Sequence, residues 1–257
     1  MCTGLWVQYN SMASEASDSS AQFPTTAWNL VLVAKDSANP EYLDAMNRCI
    51  AGYWKPVFYF LRSRGYPLHR AEDLTQEFFL RFMERAWIRR ADPGRGRFRT
   101  FLLTILTRFL SDQSPPRAPK QKQFDQRLVS ISALMGDQER RFEPPDNLTP
   151  EEIFMKHWAK AVIANVRWQL EVWCSQKNRP DWYKIFCAVY FPRAGAARAT
   201  QQALAERFHL TRDQVRYALE EVNRQFARLL RAEVADQVDS PAELDAEIVE
   251  LQQLLAG

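Results

Sequence analysis

The chain has 257 residues, 46% of them hydrophobic, with a formal charge of only +3. That length supports two modest helical domains or one larger one. So small a net charge argues for no partner class by itself, and no apolar run approaches the length of a membrane span.

Residues 1–26 are rich in Ser and Ala, lack periodicity, and read as a disordered leader, with Met12 as a second candidate start. No Lys or Arg precedes Lys35, so the basic flank of a signal peptide is missing and nothing suggests export. Cys2, Cys49, Cys174 and Cys187 show no CxxC pairing, and His69, His157 and His209 are the only histidines, so no zinc site is expected. These cysteines read as reduced, mostly core residues of a cytoplasmic protein.

Trp28 to Ala34 forms a short apolar anchor, read as the first turns of a helix. Asn39-Pro40 restarts a helix with Leu43, Met46, Ile50 and Tyr53 facing inward. The pattern continues through Pro56 to Leu61, and Gly65 with Pro67 ends it. From Arg70, Leu74, Phe78 and Phe82 make one apolar stripe, flanked by Phe79, Met83 and Trp87. Asp73, Gln76, Glu77 and Glu84 give the polar face. Asp92-Pro93-Gly94 breaks the pattern. A second helix follows with Phe98, Phe101, Leu102, Ile105 and Phe109 inward, and with Arg97, Arg99, Thr100, Thr104 and Arg108 outward. Between residues 89 and 127 there are ten Lys/Arg against three Asp, a clustering that either marks a nucleic-acid surface or is a solvated helix face.

Ser114-Pro115-Pro116 stops that helix, and residues 113–150 read as a partly ordered linker with an apolar island at Leu128 to Met135. Thr149 caps a helix with Pro150 at its first position, running through Phe154, Trp158, Ile163, Trp168 and Leu170 until Asn178-Arg179-Pro180 closes it. Asp181 to Phe191 is a further short helix. Ala199 to Phe208, a turn at His209-Leu210, and a long helix from Thr211 then follow. Thr211 and Gln214 fit a capping box, and Val215, Leu219, Val222, Phe226 and Leu229 form the inner stripe. Ser240-Pro241 opens a last acidic helix with Leu244, Ile248, Leu251 and Leu255 inward. Nothing alternates like a strand, so the expected fold class is all-α.

The pair of helices over residues 199–230 fits a helix–turn–helix, whose second helix would expose Arg212, Gln214, Arg216 and Tyr217 to DNA. It fits an ordinary αα-hairpin equally well. Arg and aromatic residues around Arg97–Phe109 could hold single-stranded DNA, although such aromatics commonly fill a core. No catalytic constellation emerges. Gly94-Arg95-Gly96-Arg97 lacks the context of a phosphate loop, and His69 with Glu72 and Asp73 reads as a helix start. An enzyme is not expected.

AEDLTQEFF resembles the core-polymerase-binding region 2.2 of sigma factors, GRFRTFLLTILTRFL their promoter-melting regions 2.3–2.4, and residues 199–230 stand where region 4 would. Trp28-Asn29-Leu30-Val31-Leu32, Tyr53-Trp54-Lys55-Pro56, and Arg90-Ala91-Asp92-Pro93 resemble the extracytoplasmic-function (ECF) sigma factors abundant in planctomycetes, as do NLTPEEIFMKHWA and the C-terminal tail. The resemblance implies a leader at 1–26, a region 2 domain at 27–113, a linker at 114–148, a region 4 domain at 149–239 and an acidic helix at 240–257. It implies that Asp73, Gln76 and Glu77 bind the clamp helices of the largest subunit of core RNA polymerase. Promoter DNA would meet Arg97, Arg99, Thr100, Thr104 and Arg108 at the minus-ten element and Arg212, Gln214, Arg216 and Tyr217 at the minus-thirty-five element. Chemistry would stay with the polymerase, with no cofactor and no metal; an anti-sigma factor or other regulator is left open as a further partner. Two features depart from the family pattern: the Ser114-Pro115-Pro116 stop, and Glu220-Glu221 in the recognition helix, where acids would repel phosphates. Two alternatives therefore stay open: a sigma-like protein that binds polymerase or a regulator without effective promoter recognition, and a stand-alone helix–turn–helix regulator.

Overall fold

Apolar residues recurring every three to four positions build helices along the chain, and no strand forms among the described residues. The computed structural model describes residues 31–84, 87–112, 131–192, 199–235 and 241–256. Its helices are α1 (Tyr42–Ser63), α2 (Leu68–Glu84), α3 (Phe98–Ser111), α4 (Ile131–Leu134), α5 (Asp137–Arg140), α6 (Pro150–Gln176), α7 (Pro180–Tyr190), α8 (Gln201–Phe208), α9 (Arg212–Ala235) and α10 (Pro241–Ala256). Short 3-10 turns occupy Trp87–Arg90 and Pro93–Arg95. The all-α expectation holds for these residues. The leader at 1–26, the Ser114-Pro115-Pro116 stop, the basic residues from Arg117 to Arg127 and the start of the last helix at Ser240 lie outside them. None of the described helices is long and apolar enough to cross a membrane.

Two compact units share the chain, one comprising Thr25–Ala161 with Ala235–Leu244 and the other Val162–Val234 with Asp245–Gly257. In the first, α1 buries Met46, Ile50, Tyr53, Val57, Phe58, Phe60 and Leu61 along one face. Pro56 lies inside α1 without ending it, whereas Pro40 stands in the turn before the helix rather than within its first turn. Gly65 terminates α1 at φ +85, a left-handed value that glycine adopts at little cost, and Tyr66 N–H donates to Leu61 C=O at 3.2 Å. α2 and α3 meet through rings: Phe78 packs on Phe109 at 5.6 Å and Phe82 on Phe98 at 6.5 Å, with all four essentially inaccessible. Burying such a side chain stabilises by about 1.5–3 kcal/mol. Trp87 is buried too, but in a 3-10 turn rather than as a continuation of α2.

The sequence assigns residues 114–148 to a linker, yet the described part of it is packed rather than spanning. Lys55 on α1 bonds Glu139 on α5 at 2.8 Å, Arg62 donates to the Phe142 carbonyl at 3.0 Å, and Tyr59 packs against Phe142 at 4.4 Å. The first half of α6 joins the same unit: Phe154 and Trp158 are buried, and His157 stacks on Tyr59 at 3.5 Å with the rings nearly parallel. Unit membership changes inside α6, at Ala161–Val162. Thr149 caps α6 as expected, and the cap is a full capping box: Thr149 N–H donates to Glu152 at 2.7 Å and Glu152 N–H to Thr149 Oγ1 at 3.2 Å. Trp168, one of the apolar residues along this helix, is 62% exposed, because it falls on the face opposite Val166 and Leu170.

In the second unit, α7 is pinned to α9 by Phe186 against Phe226 at 5.4 Å and by Asn223 donating to Tyr190 Oη at 2.9 Å. From Asp245 on, the acidic α10 belongs to this unit: it buries Ile248 and Leu251, leaves Leu255 only partly covered, and joins α9 through an Arg231–Asp245 pair at 2.8 Å, while Leu244, also buried, counts with the first unit.

Candidate nucleic-acid and polymerase interface

α2 presents its polar residues as a ridge opposite the Leu74–Phe78–Phe82 stripe. Asp73 is exposed, and Gln76 and Glu77 are half-buried. Glu77 pairs with Arg81 one turn on, whose guanidinium also lies 5.2 Å from the Phe109 ring. The three residues assigned to polymerase binding thus share one face of one helix.

The residues assigned to melting on α3 divide. Thr100, Thr104 and Arg108 are exposed at helical spacing. Arg97 precedes α3 as its N-cap residue and is half-buried. Arg99, expected outward, is 1% exposed, its guanidinium 4.1 Å from the Trp158 ring centroid. The reason is geometric: Arg99 lies one residue after Phe98 and three before Leu102, on the flank that α6 covers, and a tryptophan face is a good counterpart for a desolvated guanidinium. Arg99 is therefore not a surface donor. Thr107 and Ser111, which the sequence reading did not single out, extend the exposed row. Thr104 Oγ1 donates to Thr100 C=O, Thr107 to Leu103 C=O and Ser111 to Thr107 C=O, at 2.9–3.0 Å. Thr104, Thr107 and Ser111 follow Thr100 at i+4, i+7 and i+11, and that helical spacing was the available signal.

Beside the start of α3, an open cleft of about 450 Å³ is lined by Lys35, Arg89, Arg90, Ala91, Asp92 and Arg95. The buried Ile88 and Ala91 anchor this segment, so Arg89 and Arg90 project outward. Gly94 N–H donates to Asp92 Oδ1 at 3.1 Å, and Gly96 adopts φ +111 to turn the chain into α3.

In the other unit, α8 and α9 form the expected pair. Thr200 Oγ1 accepts from Ala203 N–H at 3.2 Å, and His209 closes α8 in the left-handed region at φ 54 while Leu210 N–H donates to Ala205 C=O at 2.9 Å. Thr211 N–H donates to Gln214 Oε1 at 2.8 Å and Gln214 N–H to Thr211 Oγ1 at 3.1 Å, completing the capping box. Arg212, Gln214, Arg216 and Tyr217 are all exposed. Each is also engaged locally: Arg212 with Gln202 of α8, Gln214 in the cap, Arg216 with Asp213 at 3.0 Å, and Tyr217 edge-on to Trp182 at 5.9 Å. Exposed pairs of this kind contribute about 0–1 kcal/mol, so they organise the side chains without locking them. Arg224 and Arg228, which sequence reasoning passed over, continue an exposed ridge from Arg212 and Arg216 in steps of four, with Glu220 as its one acid. Glu221 is half-buried and pairs with Arg224.

Two groups near α1 have displaced proton affinities. His157 is held neutral, its pKa pushed down to about 3 chiefly by burial, with Lys160 and Lys55 adding repulsion. Burial alone would raise the Glu139 carboxyl, but Lys55 and the Gly136 amide outweigh it and hold it below its usual range.

The segment that holds α2 and α3 matches a family model. Residues 50–113 match Sigma-70 region 2. The match begins in α1 and ends just past α3, so it takes in the polar ridge of α2 and the hydroxyl and arginine row of α3. The match is to this segment, less than half of the chain, and Sigma-70 region 2 in general binds core RNA polymerase and promoter DNA. No curated protein matches the chain, and neither does any solved structure.

Proposed function

We propose that the chain is an ECF-type sigma factor of the planctomycete-like group, which binds core RNA polymerase through α2 and directs promoter recognition and opening. The observation that carries this reading is the region 2 match laid over two helices with different exposed chemistry. Asp73, Gln76 and Glu77 on α2 face the clamp helices of the largest subunit. Thr100, Thr104 and Arg108 on α3, with Arg97 at its start, face the opened minus-ten strand. Arg212, Gln214, Arg216 and Tyr217 on α9 read the minus-thirty-five element, with the capping box fixing where that helix begins. The protein itself is not an enzyme and needs no cofactor; the polymerase supplies the chemistry, and the complex works in the cytoplasm.

Runoff transcription with core polymerase and a promoter library tests the proposal. Initiation from a defined subset supports it, and core binding without initiation favours a degenerate sigma-like protein. DNA binding that never requires core favours a stand-alone regulator. Asp73→Arg and Glu77→Arg should each weaken core binding while leaving the helical content unchanged; core affinity equal to the parent's in both would displace the interface from α2.

A further inference from the structure

In the second unit the partly buried Arg167 of α6 meets side chains of α7, and no carboxylate pairs with it among the described residues. Arg167 Nη2 lies 3.5 Å from Tyr183 Oη and 3.7 Å from Cys187 Sγ, and its guanidinium sits 4.4 Å from the Phe191 ring centroid. Its Nε is buried with no hydrogen-bond partner among the described residues. Guanidinium stays charged at any attainable pH, and on its covered side this charge is met by the groups around it. Burial works against the Arg167 charge, and the groups that work for it are Tyr183 and Cys187.

Tyr183 is pushed up to about 12, first by burial and then by its hydrogen bond to Cys187. The phenol therefore keeps its proton at neutral pH and donates it to the sulfur, while its oxygen accepts from Arg167. Cys187 Sγ is the end point of two donors, one of them cationic. That is the environment in which a cysteine acts as a nucleophile. The other described cysteines sit differently: Cys49 is buried among apolar groups and pushed up to about 12, and Cys174 is buried and pushed up to about 11. Cys187 is the described cysteine with partial access to solvent.

We propose that Cys187 is an oxidant-responsive thiol, a modification site for peroxides, held ready by Arg167 and Tyr183. The sulfur attacks one oxygen of hydrogen peroxide. The S–O bond forms as the O–O bond breaks, and the departing hydroxide takes the thiol proton to leave as water. Sulfur is oxidised by two electrons to a sulfenic acid and the peroxide is reduced. Cys187 shares α7 with Trp182, Phe186 and Tyr190, which contact α9, the helix that bears Arg212 and Arg216.

The test uses the full reduced chain treated with limiting hydrogen peroxide in the presence of dimedone, followed by peptide mass mapping. Cys187 should carry the dimedone adduct at least about tenfold faster than Cys49 is modified. Tyr183→Phe and Arg167→Lys should slow Cys187 several-fold. Cys49 is the internal control, since a variant that merely opens the fold exposes it as well; should Arg167→Lys do so, Tyr183→Phe, which keeps the ring, decides. Reaction at Cys187 no faster than at Cys49, or an undiminished rate in Tyr183→Phe, overturns the proposal. Neither polymerase nor DNA enters this readout, so its failure leaves the sigma-factor reading untouched.

Discussion

The guanidinium of Arg99 lies 4.1 Å from the ring centroid of Trp158, joining α3 to the first half of α6 inside one compact unit. Both residues are about 1% exposed, so the contact is desolvated and the charge has no bulk water to retreat to. A desolvated cation–π pair is worth about 2 kcal/mol or more. Arg99→Met keeps the apolar stem and loses the charge, and should cost about that amount in urea unfolding. Trp158→Ala removes the whole ring and should cost about 3–5 kcal/mol. An Arg99→Met variant as stable as the parent would mean that the stem alone, and not the charge, holds the contact.

Stability should fall on acidification in a window set by His157 and Glu139. The folded state keeps His157 neutral down to about pH 3, whereas the unfolded chain takes up a proton near 6.5. Between those values the unfolded state binds more protons, so stability is full above the upper one and declines below it. Glu139 acts lower down and in the same direction: its folded value is depressed, so its contribution is present above the unfolded value and is lost as pH falls through the folded one. His157→Phe retains a ring against Tyr59. It should flatten the dependence between about pH 7 and pH 5 while leaving the decline below it. Urea unfolding at pH 7.5, 5.5 and 4 would check this; an unchanged slope in His157→Phe would assign the acid sensitivity elsewhere.

His209 sits at φ 54 between α8 and α9, where a side chain with a Cβ is strained. The cost for a non-glycine residue there is about 1–2 kcal/mol, and a β-branched residue fits worse. His209→Val should destabilise the unit by about 1–2 kcal/mol. His209→Gly removes the strain but loosens the unfolded chain by about 0.4–1 kcal/mol, so it should lie within about 0.5 kcal/mol of the parent or slightly above it. Thermal unfolding of the three proteins separates these outcomes.

Helix identity was legible in this sequence because it depends on local spacing. Leu74, Phe78 and Phe82 share a face by periodicity alone, and the boxes at Thr149–Glu152 and Thr211–Gln214 span only three residues. What spacing could not show is which other element covers a given face. Arg99 has the polarity of a surface residue and the register of a flank, and only the placement of α6 buries it. Trp168 shows the converse, since its apolarity suggests burial but its angular position on α6 leaves it in solvent. The segment around Glu139 looks like a linker because its anchors, Lys55, Tyr59 and Arg62, are some 80 residues earlier in the chain.

Glu220 stands among Arg212, Arg216, Arg224 and Arg228 along the exposed ridge of α9. Glu221, its neighbour, is half-buried and already paired with Arg224, so the two acids are not equivalent. If this ridge faces DNA, Glu220 repels phosphates whereas Glu221 mainly positions Arg224. Glu220→Gln should then raise affinity for duplex DNA several-fold at low salt, with the gain shrinking as ionic strength rises. Glu221→Gln should raise it less, because it releases Arg224 from its partner at the same time as it removes the acid. Fluorescence anisotropy with a labelled duplex at two salt concentrations measures both. Equal, salt-independent affinities for the parent and Glu220→Gln would place the ridge away from DNA and leave α8–α9 as a packing hairpin.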